Sequence, residues 1–380
     1  MALKVPPQQA AEIAIGSIGL GFDVAADVRL KYCKRESPDP CLIELDAGGG
    51  QAGETVHLPG GISVSGVPKS IKCDKGERTR FRSDVLSFQQ MSEQFNQELS
   101  LSGKIPSGMF NNMFEFSNCW QKDAAHTKSL AFDGWFITLY TVALAKSQIV
   151  LRDHVKRAVP PSWDPAALAR FIEQFGTHVV VGVKMGGKDV IYIRQQHSSN
   201  LQPAEVQKRL KDMADKRFLD VNGQYGVNSE EAYGKDKFDF KEQRLRFADS
   251  SPSSSYSTKE DIMRIFKRRG GNDHKDLSHM EWLNTVQSEP DVISMSFVPI
   301  TSLLNGVPGS GFLSHAINYI CVINHQLKNF ISFWSFNYQD SGPQFSVTFP
   351  SALSGNSKVT CLYSSASWVQ SFMSTPVWST

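Results

Sequence analysis

Two long segments with the composition of buried β-strands constrain the fold of this chain more than any other feature. Phe132–Val150 is rich in aromatic and β-branched side chains and has few charges, as in a strand covered on both faces. Val179–Ile193 is similar, and its Gly186–Gly187 pair predicts a bulge or bend. Shorter segments with apolar side chains at alternate positions lie at Phe22–Tyr32 and Val292–Ile300. We predict that these four segments pair in one antiparallel sheet.

Helical signals separate these segments. Asp164 is a candidate N-cap, Pro165 suits the first helical position, and Gly176 is placed to end the helix. From Phe88 onward, apolar residues recur every three or four positions, which predicts another helix ending near Gly103. Both helices are expected to cover the sheet with their apolar stripes.

Two further stretches are harder to interpret. The polar stretch Ser198–Asp276 has a helical stripe and a Ser-rich segment, so we predict helices joined by mobile loops. The region around residues 110–120 is ambiguous, because its aromatic residues share one parity and fit a strand as well as a helix. Those aromatic residues are Phe110, Phe114, Phe116 and Trp120.

The most specific motif begins where the helix that starts at Pro165 ends. Phe175-Gly176-Thr177-His178-Val179 is followed, after six residues, by Gly186-Gly187. This pattern resembles the signature of the membrane attack complex/perforin (MACPF) family: an aromatic residue, Gly, Thr or Ser, His, an aromatic residue, six residues and Gly-Gly. Phe175 replaces the usual Tyr or Trp and Val179 the usual second aromatic residue, but the spacing is intact.

Three other segments are similar to the intracellular plant branch of that family: Gly19–Asp23, Phe132–Trp135 and Thr301–Gly311. The resemblance covers about residues 10–318 and implies an α+β MACPF domain. The fold it implies is a bent and twisted four-stranded antiparallel sheet flanked by two helical clusters, which can unfurl into amphipathic hairpins. By resemblance the first helical cluster lies at about Phe88–Ala125 and the second at about Ser198–Asp276.

The resemblance also implies a function. Plant members of the family restrain salicylic-acid-linked immune cell death and lack a secretion signal. We therefore expect a negative regulator of salicylic-acid-mediated programmed cell death, the hypersensitive response of plant immunity. It would act through membrane lipid or a pore, as a homo-oligomer, from the cytoplasmic side of the plasma membrane. The alternative is a non-lytic scaffold that keeps the fold for protein contacts.

An enzyme is the weaker reading of the same residues. Gly182–Asp189 nearly spells a phosphate-binding loop, but Asp189 would repel phosphate, and Val190–Ile193 continues as strand where a helix should begin. His178 could act as a general base, yet no nucleophile or carboxylate lies at a recognisable spacing from it. We expect His178 to be structural and the chain to have no catalytic residues, cofactor or metal.

Charge and cysteine content narrow the partners and the compartment. Forty basic and 38 acidic residues give a formal charge of +2, which does not suit a nucleic-acid groove. The six cysteines are scattered, so we expect reduced thiols in a cytosol. Neither a signal peptide nor an apolar run of about 20 residues is present, so we predict no membrane-spanning helix.

The two clusters differ in their suitability for lipid. A membrane strand needs about 9–11 residues with every second side chain apolar. The most aromatic part of the second cluster, Asp236–Phe247, carries charges on both parities, so we expect this cluster to stay helical. The first cluster is the better candidate to touch a bilayer, through Phe110, Phe114, Phe116 and Trp120.

The composition changes after Asn318. From there to Thr380 only Lys328, Asp340 and Lys358 are charged, which is unusual for a folded surface. Plant members of the family continue instead with a charged segment and a β-rich C-terminal domain. We predict that residues 319–380 form a divergent tail, disordered or frameshifted, in place of that domain.

Overall fold

A computed structural model describes residues 5–45, 53–101, 106–117, 119–145, 148–218, 262–274, 276–317, 344–347 and 359–362. The strands are β1 (Gly21–Phe22), β2 (Glu54–Leu58), β3 (Ile62–Val67), β4 (Ile71–Lys75), β5 (Arg78–Arg82), β6 (Thr127–Leu144), β7 (His178–Gln196), β8 (Ile262–Arg269), β9 (Asp291–Pro299), β10 (Gln344–Val347) and β11 (Val359–Leu362). The helices are α1 (Pro7–Ile15), α2 (Phe88–Glu98), α3 (Gly108–Met113), α4 (Trp120–His126), α5 (Asp153–Ala158), α6 (Pro165–Phe175), α7 (Pro203–Arg217) and α8 (His279–Leu283).

The long strands β6 and β7 form the centre of one antiparallel sheet. β5 and β4 follow one another along the outer edge of β6, and β8 and β9 do so along the outer edge of β7. β1 pairs with the start of β7, beyond the end of β6. The seven strands therefore occupy four positions across the sheet, and the predicted α+β fold with a four-stranded antiparallel sheet is confirmed.

The sheet bends at the glycine pair of β7. Opposite Gly186 and Met185 the β6 register shifts between Thr138 and Tyr140, and the β9 register shifts at Met185 as well. A Cβ on Gly186 would overlap the carbonyl oxygen of Ile137, so only glycine permits this close approach of β6. The bulge predicted at the pair is confirmed.

The predicted strand at Phe22–Tyr32 is wrong beyond its first residue. Only Gly21–Phe22 pairs in the sheet, and Leu30–Tyr32 is a 3₁₀ turn. The Asp23 carboxylate accepts a hydrogen bond from the backbone N–H of Ala25 at 3.0 Å, which stabilises a turn immediately after Phe22. Alternation of apolar and charged residues was thus outweighed by local side-chain bonding to the backbone.

The strand predicted at Phe132–Val150 has different limits. β6 begins earlier, at Thr127, and ends earlier, at Leu144. The helix α6 is as predicted: the Asp164 carboxylate accepts hydrogen bonds from the N–H groups of Ala166 and Ala167 at 3.0 and 3.2 Å. α2 begins at Phe88 as expected and ends at Glu98, a few residues before Gly103.

The second cluster is only partly described. Its predicted helical stripe lies on α7, where Val206 and Leu210 are fully buried. Residues 262–269 were predicted to belong to a helical region and are instead strand β8. β8 supplies the hydrogen bonds that the second half of β7 would otherwise lack on its outer edge. The rest of the predicted cluster, residues 219–261, lies outside the described residues.

The ambiguous region of the first cluster is helical. Phe110 lies on α3 and Trp120 begins α4, so the alternative of a strand there is wrong. The Ser107 hydroxyl accepts a hydrogen bond from the N–H of Phe110 at 3.4 Å and caps α3. Phe110 and Phe114 are four positions apart, so helical winding brings their rings together, with centroids 5.3 Å apart.

The two clusters cover opposite faces of the sheet. Phe132 and Tyr192 contact the aromatic rings of the first cluster, whereas Ala131, Ile191 and Ile193 contact α7. Because neighbouring residues of a strand point to opposite faces, these sets lie on different sides of β6 and β7. A second core packs α5 and α6 against the helical residues 310–317.

Two hairpins complete the described chain. β2 and β3 form one, against which α1 packs. β10 and β11 form the other, inside the predicted tail. The remaining residues of that tail lie outside the described residues, and the prediction made for it stays a prediction.

Replacing Gly186 with Ala tests the bend. We expect Gly186→Ala to lower the free energy of unfolding by about 2–4 kcal/mol, because the added Cβ forces β6 and β7 apart. Gly311→Ala is the matched control, since in the described part of the chain no heavy atom beyond its own helix and chain neighbours lies within 4 Å of its new Cβ. Chemical denaturation would measure both, and equal stabilities of the two variants would contradict this account of the bend.

Candidate functional site

The signature motif forms a joint between α6, β7 and β1. Phe175 is buried at the end of α6, and Gly176 has φ +78°, where a Cβ would lie 2.7 Å from the backbone of Phe22. The N–H of Thr177 donates to the carbonyl of Phe22 at 3.0 Å, and its hydroxyl donates to the same carbonyl at 3.2 Å. The motif therefore fastens β1 to the first residues of β7.

His178 completes this joint. Its Nδ1 lies 2.9 Å from the Thr177 hydroxyl oxygen. Either Nδ1–H donates to the hydroxyl oxygen or the hydroxyl donates to Nδ1, depending on the tautomer of the ring. Burial lowers the pKa of His178 to about 4, so the ring is neutral at physiological pH. Among the described residues, Thr177 is its one side-chain hydrogen-bond partner, and this geometry provides no catalytic pair.

A cluster of buried charge lies further along β7, around Asp189. This carboxylate is fully buried and accepts hydrogen bonds from Arg217 at 2.6 and 2.9 Å, from Arg268 at 3.2 Å and from His279 Nδ1 at 3.0 Å. We call these four residues the Asp189 cluster. It joins the end of α7, β8 and α8 to the centre of the sheet.

The protonation of Asp189 follows from these contacts. Burial alone would raise the pKa of its carboxyl, but the His279 hydrogen bond and the Arg217 and Arg268 charges outweigh it and hold the pKa below its usual value. Asp189 is therefore ionised under physiological conditions. Its negative charge is compensated by donors from three separate elements.

A second buried carboxylate lies on the same face. Asp133 of β6 is fully buried and accepts hydrogen bonds from Arg80 at 3.0 Å and Arg82 at 2.7 Å. Arg80 also lies 3.6 Å from Asp215 of α7. The last turns of α7 are thus tied to the sheet by two ionic links, Arg217 to Asp189 and Asp215 to Arg80.

The first cluster is held mainly by aromatic contacts. The rings of Phe88, Phe95, Phe110, Phe114 and Phe116 lie within 6 Å of one another in successive pairs, and Phe114 contacts Tyr192 with centroids 5.1 Å apart. Polar contacts also join it to the sheet: Arg194 donates to the Glu115 carbonyl at 3.2 Å, and Lys267 lies 2.5 Å from the Glu115 carboxylate.

The residues predicted to meet a bilayer lie in this aromatic core. Phe110 and Phe114 are fully buried, Phe116 is 7% exposed, and Trp120 is half-buried. In this arrangement they face the sheet, so they could reach lipid only after the first cluster leaves it. Among the described helices, none is both long and apolar enough to cross a membrane.

Sequence reasoning missed the roles of the buried charges. Asp133, Lys188 and Asp189 lie within segments predicted to be buried strands, and a charge in such a segment is itself a signal of a specific partner. The sequence pattern indicated only that Asp189 does not suit a phosphate-binding loop. The strand predicted to continue after it is part of β7. Lys267-Arg268-Arg269 lies on β8, where Arg268 and Arg269 are buried in ion pairs with Asp189 and Asp27. No grouping of metal-ligating side chains occurs in the described part of the chain.

The fold and the signature joint together define a class of protein: a bent antiparallel sheet carrying a helical cluster on each face. Comparison with known sequences agrees with this definition. The profile of the MAC/Perforin domain matches residues 9–342. The chain therefore belongs to the MACPF domain family.

Several plant proteins are similar to this chain in sequence. The Arabidopsis thaliana MACPF domain-containing protein At4g24290 is 67% identical over 318 residues, 84% of this chain and 52% of the relative. MACPF domain-containing protein NSL1 is 53% identical over 83% of this chain and 52% of its own length, and CAD1 is 44% identical over 80% and 49%. The chain spans about half the length of these curated relatives.

A solved structure supports the fold alone. The crystal structure of GNIP1Aa from Chromobacterium piscinae superposes with a TM-score of 0.52, over 82% of this chain and 56% of that one, at 14% identity. At this identity the likeness shows a common architecture.

Replacing Asp189 with Asn tests the ionic fastening of α7. We expect Asp189→Asn to lower the free energy of unfolding by about 3 kcal/mol, because two guanidinium groups lose their buried counter-charge. In this variant, amide hydrogen exchange should accelerate more in α7 than in α2. Asp74→Asn, at an exposed position of β4, is the control and should change neither measurement.

The effect should depend on pH. The lowered pKa of Asp189 means that its stabilisation is complete above the unfolded value of about 4 and is lost as pH falls through the folded pKa. Wild-type and variant stabilities should therefore converge in acid. A constant difference down to the acid transition would contradict the assignment.

His178 gives an independent titration. Its ring should protonate near pH 4 in the folded protein, against about 6.5 in the unfolded chain. Because the folded state binds fewer protons in between, the stabilising effect of neutral His178 is complete above about pH 6.5 and falls towards pH 4. NMR of the nine histidine rings would measure this, with the His178 signal identified by its loss in His178→Gln. A midpoint near 6.5 would show that the ring is solvated.

Proposed function

We propose that this chain negatively regulates salicylic-acid-dependent programmed cell death in plant immunity. The observation that carries the proposal is its similarity to plant MACPF proteins, with 67%, 53% and 44% identity to three from Arabidopsis thaliana. The motifs at Gly19–Asp23, Phe132–Trp135 and Thr301–Gly311 add to that similarity. The activity belongs to the cytoplasmic side of the plasma membrane, where the chain associates with lipid.

The arrangement of the clusters supports a membrane mechanism. The first cluster covers Phe132 and Tyr192 with aromatic side chains that form an apolar surface when the cluster unfurls. Isolated hairpins leave backbone groups unpaired in lipid, so insertion requires neighbouring copies that close a barrel. We therefore propose a homo-oligomer in which the first cluster makes the initial contact with the bilayer.

A non-lytic scaffold is the second candidate. Asp236–Phe247 has charged side chains at both odd and even positions, so either face of a strand here would present charges to lipid. Each Lys or Arg that faces lipid at the bilayer midplane costs roughly 2–4 kcal/mol. A domain that keeps both clusters on the sheet would still offer a rigid surface for protein contacts. The two candidates differ in whether the purified protein permeabilises a membrane.

Genetic disruption in the source plant tests the regulatory role. Loss of the gene should produce spontaneous lesions, and enzymatic removal of salicylic acid should suppress them. Expression of the chain should restore normal leaves, whereas a Gly186→Ala form should restore them less because its sheet is destabilised. Lesions that persist without salicylic acid would contradict the proposal.

Dye release from liposomes separates the pore from the scaffold. We would place cysteines at Glu115 and Lys267, whose side chains meet at 2.5 Å across the first cluster and β8, and join them with a short bismaleimide. A pore-forming chain should release dye before cross-linking. After cross-linking, the rate of dye release should be at least about tenfold lower. The untreated double variant and bismaleimide-treated wild type are controls. Absence of release in every lipid mixture would favour the scaffold.

A further inference from the structure

A small pocket opens beside α3, on the face of the sheet that the first cluster covers. Its volume is about 110 Å³, several times that of a water molecule in the liquid. Its wall is formed by β8, by Asn112 and Met113 of α3, by Arg29 and by Lys188 of β7. The pocket therefore lies at the contact between the first cluster and the sheet.

The lining of this pocket is strongly cationic. Five of the residues that line it are basic, and none of the described residues that line it is acidic. The Arg268 side chain turns to Asp189 on the opposite face of the sheet, so the cationic side chains beside the pocket are Arg29, Lys188, Lys267 and Arg269. We call it the cationic pocket. Three of these cations have a carboxylate partner: Arg29 and Arg269 pair with Asp27, and Lys267 pairs with Glu115.

Lys188 is the exception. It is 2% exposed, and its ammonium donates to the Ile293 carbonyl at 3.3 Å. Among the described residues, no carboxylate lies within ion-pair distance of it. An ammonium has three N–H donors, so a buried one with a single carbonyl acceptor retains N–H groups without a hydrogen bond, which is costly in a protein interior.

The surrounding charges partly offset one another. Asp27, from the turn after β1, and Glu98, at the end of α2, attract the Lys188 ammonium, while Arg269 of β8 and Arg29 repel it. Burial and then Arg269 lower the pKa of Lys188 to about 8, so it is mostly protonated at neutral pH. Arg29 also pairs with Asp291, at 3.5 Å between the guanidinium and the carboxylate.

We propose that the cationic pocket binds a small tetrahedral oxyanion of the phosphate class, held by the Lys188 ammonium and the guanidinium groups around it. Phosphate oxygens accept charge-assisted hydrogen bonds from both groups, and an anion of this size suits the volume. Such an anion could be free phosphate or the terminal phosphate of a lipid headgroup.

Binding there has a structural consequence. Because α3 and β8 share the wall of the pocket, an anion in it links the first cluster to the sheet and stabilises the cluster in place. This site goes beyond the proposed role in cell death. It can be measured on the purified chain without any cellular activity.

Isothermal titration calorimetry with inorganic phosphate, at constant ionic strength in chloride, is the direct test. We expect saturable binding to wild type and an association constant at least about tenfold lower for Lys188→Met, which removes the unpaired charge and keeps an apolar stem. Lys184→Met, at an exposed position of the same strand, is the matched control and should bind as wild type does.

A second variant guards against misfolding of the first. Asn112→Asp places a negative charge on the rim of the pocket, at a half-buried surface position, and should also weaken binding. Sulfate, whose charge is constant from about pH 7 to 9, should bind more weakly as Lys188 loses its proton over that range. Absence of saturable binding by the wild type, or wild-type affinity in both Lys188→Met and Asn112→Asp, would overturn the proposal.

Vesicles distinguish the two sources of the anion. Phosphatidic acid presents a terminal phosphate, whereas phosphatidylserine at equal surface charge does not. If the pocket takes a headgroup, wild type should prefer phosphatidic acid, and Lys188→Met should lose that preference. If the pocket takes free phosphate, Lys188→Met should lower the phosphate affinity measured by calorimetry and leave vesicle binding unchanged. Dependence in neither arm would overturn the proposal.

Discussion

The pairing of β6 with β7 is the constraint on which the rest of the structure depends. The two strands stay in contact from Thr127 opposite Gln196 to Ala143 opposite Gly182, and every other strand of the main sheet pairs with one of them. Their alternating side chains decide which cluster covers which face. The bulges opposite Gly186 bend both strands at the same point, so the sheet curves as one unit.

Part of this architecture could be predicted from the sequence, and the reasons differ from residue to residue. β7 and α6 were predictable because their signals are local: a continuous apolar run in one case, and Asp164, Pro165 and Gly176 in the other. The turn at Asp23 was not, because a side-chain bond to Ala25 N–H outweighs the alternation. β8 was missed because its polar sequence becomes a strand only through pairing with β7.

The candidate site divides in the same way. The signature residues Gly176 and Gly186 act through backbone geometry, which their identity as glycine already indicates. The Asp189 cluster brings together α7, β8 and α8, which are distant in the chain, so its partners could not be read from spacing. The presence of an acidic residue in a buried strand was visible, and the identity of its partners required the fold.

Different kinds of interaction hold the helices on the two faces of the sheet. This difference determines which environment would stabilise the surfaces exposed if each cluster left the sheet. Release of α7 exposes Asp189 and Arg217, which regain hydration in water, so solvent offsets much of the lost ion pairing. Release of the first cluster exposes Phe110, Phe114 and Tyr192, whose surface water does not stabilise. A cluster held by aromatic contacts therefore requires another apolar environment, either a bilayer or a partner surface. In the membrane mechanism that we propose, the face covered by the first cluster is therefore the one that meets lipid.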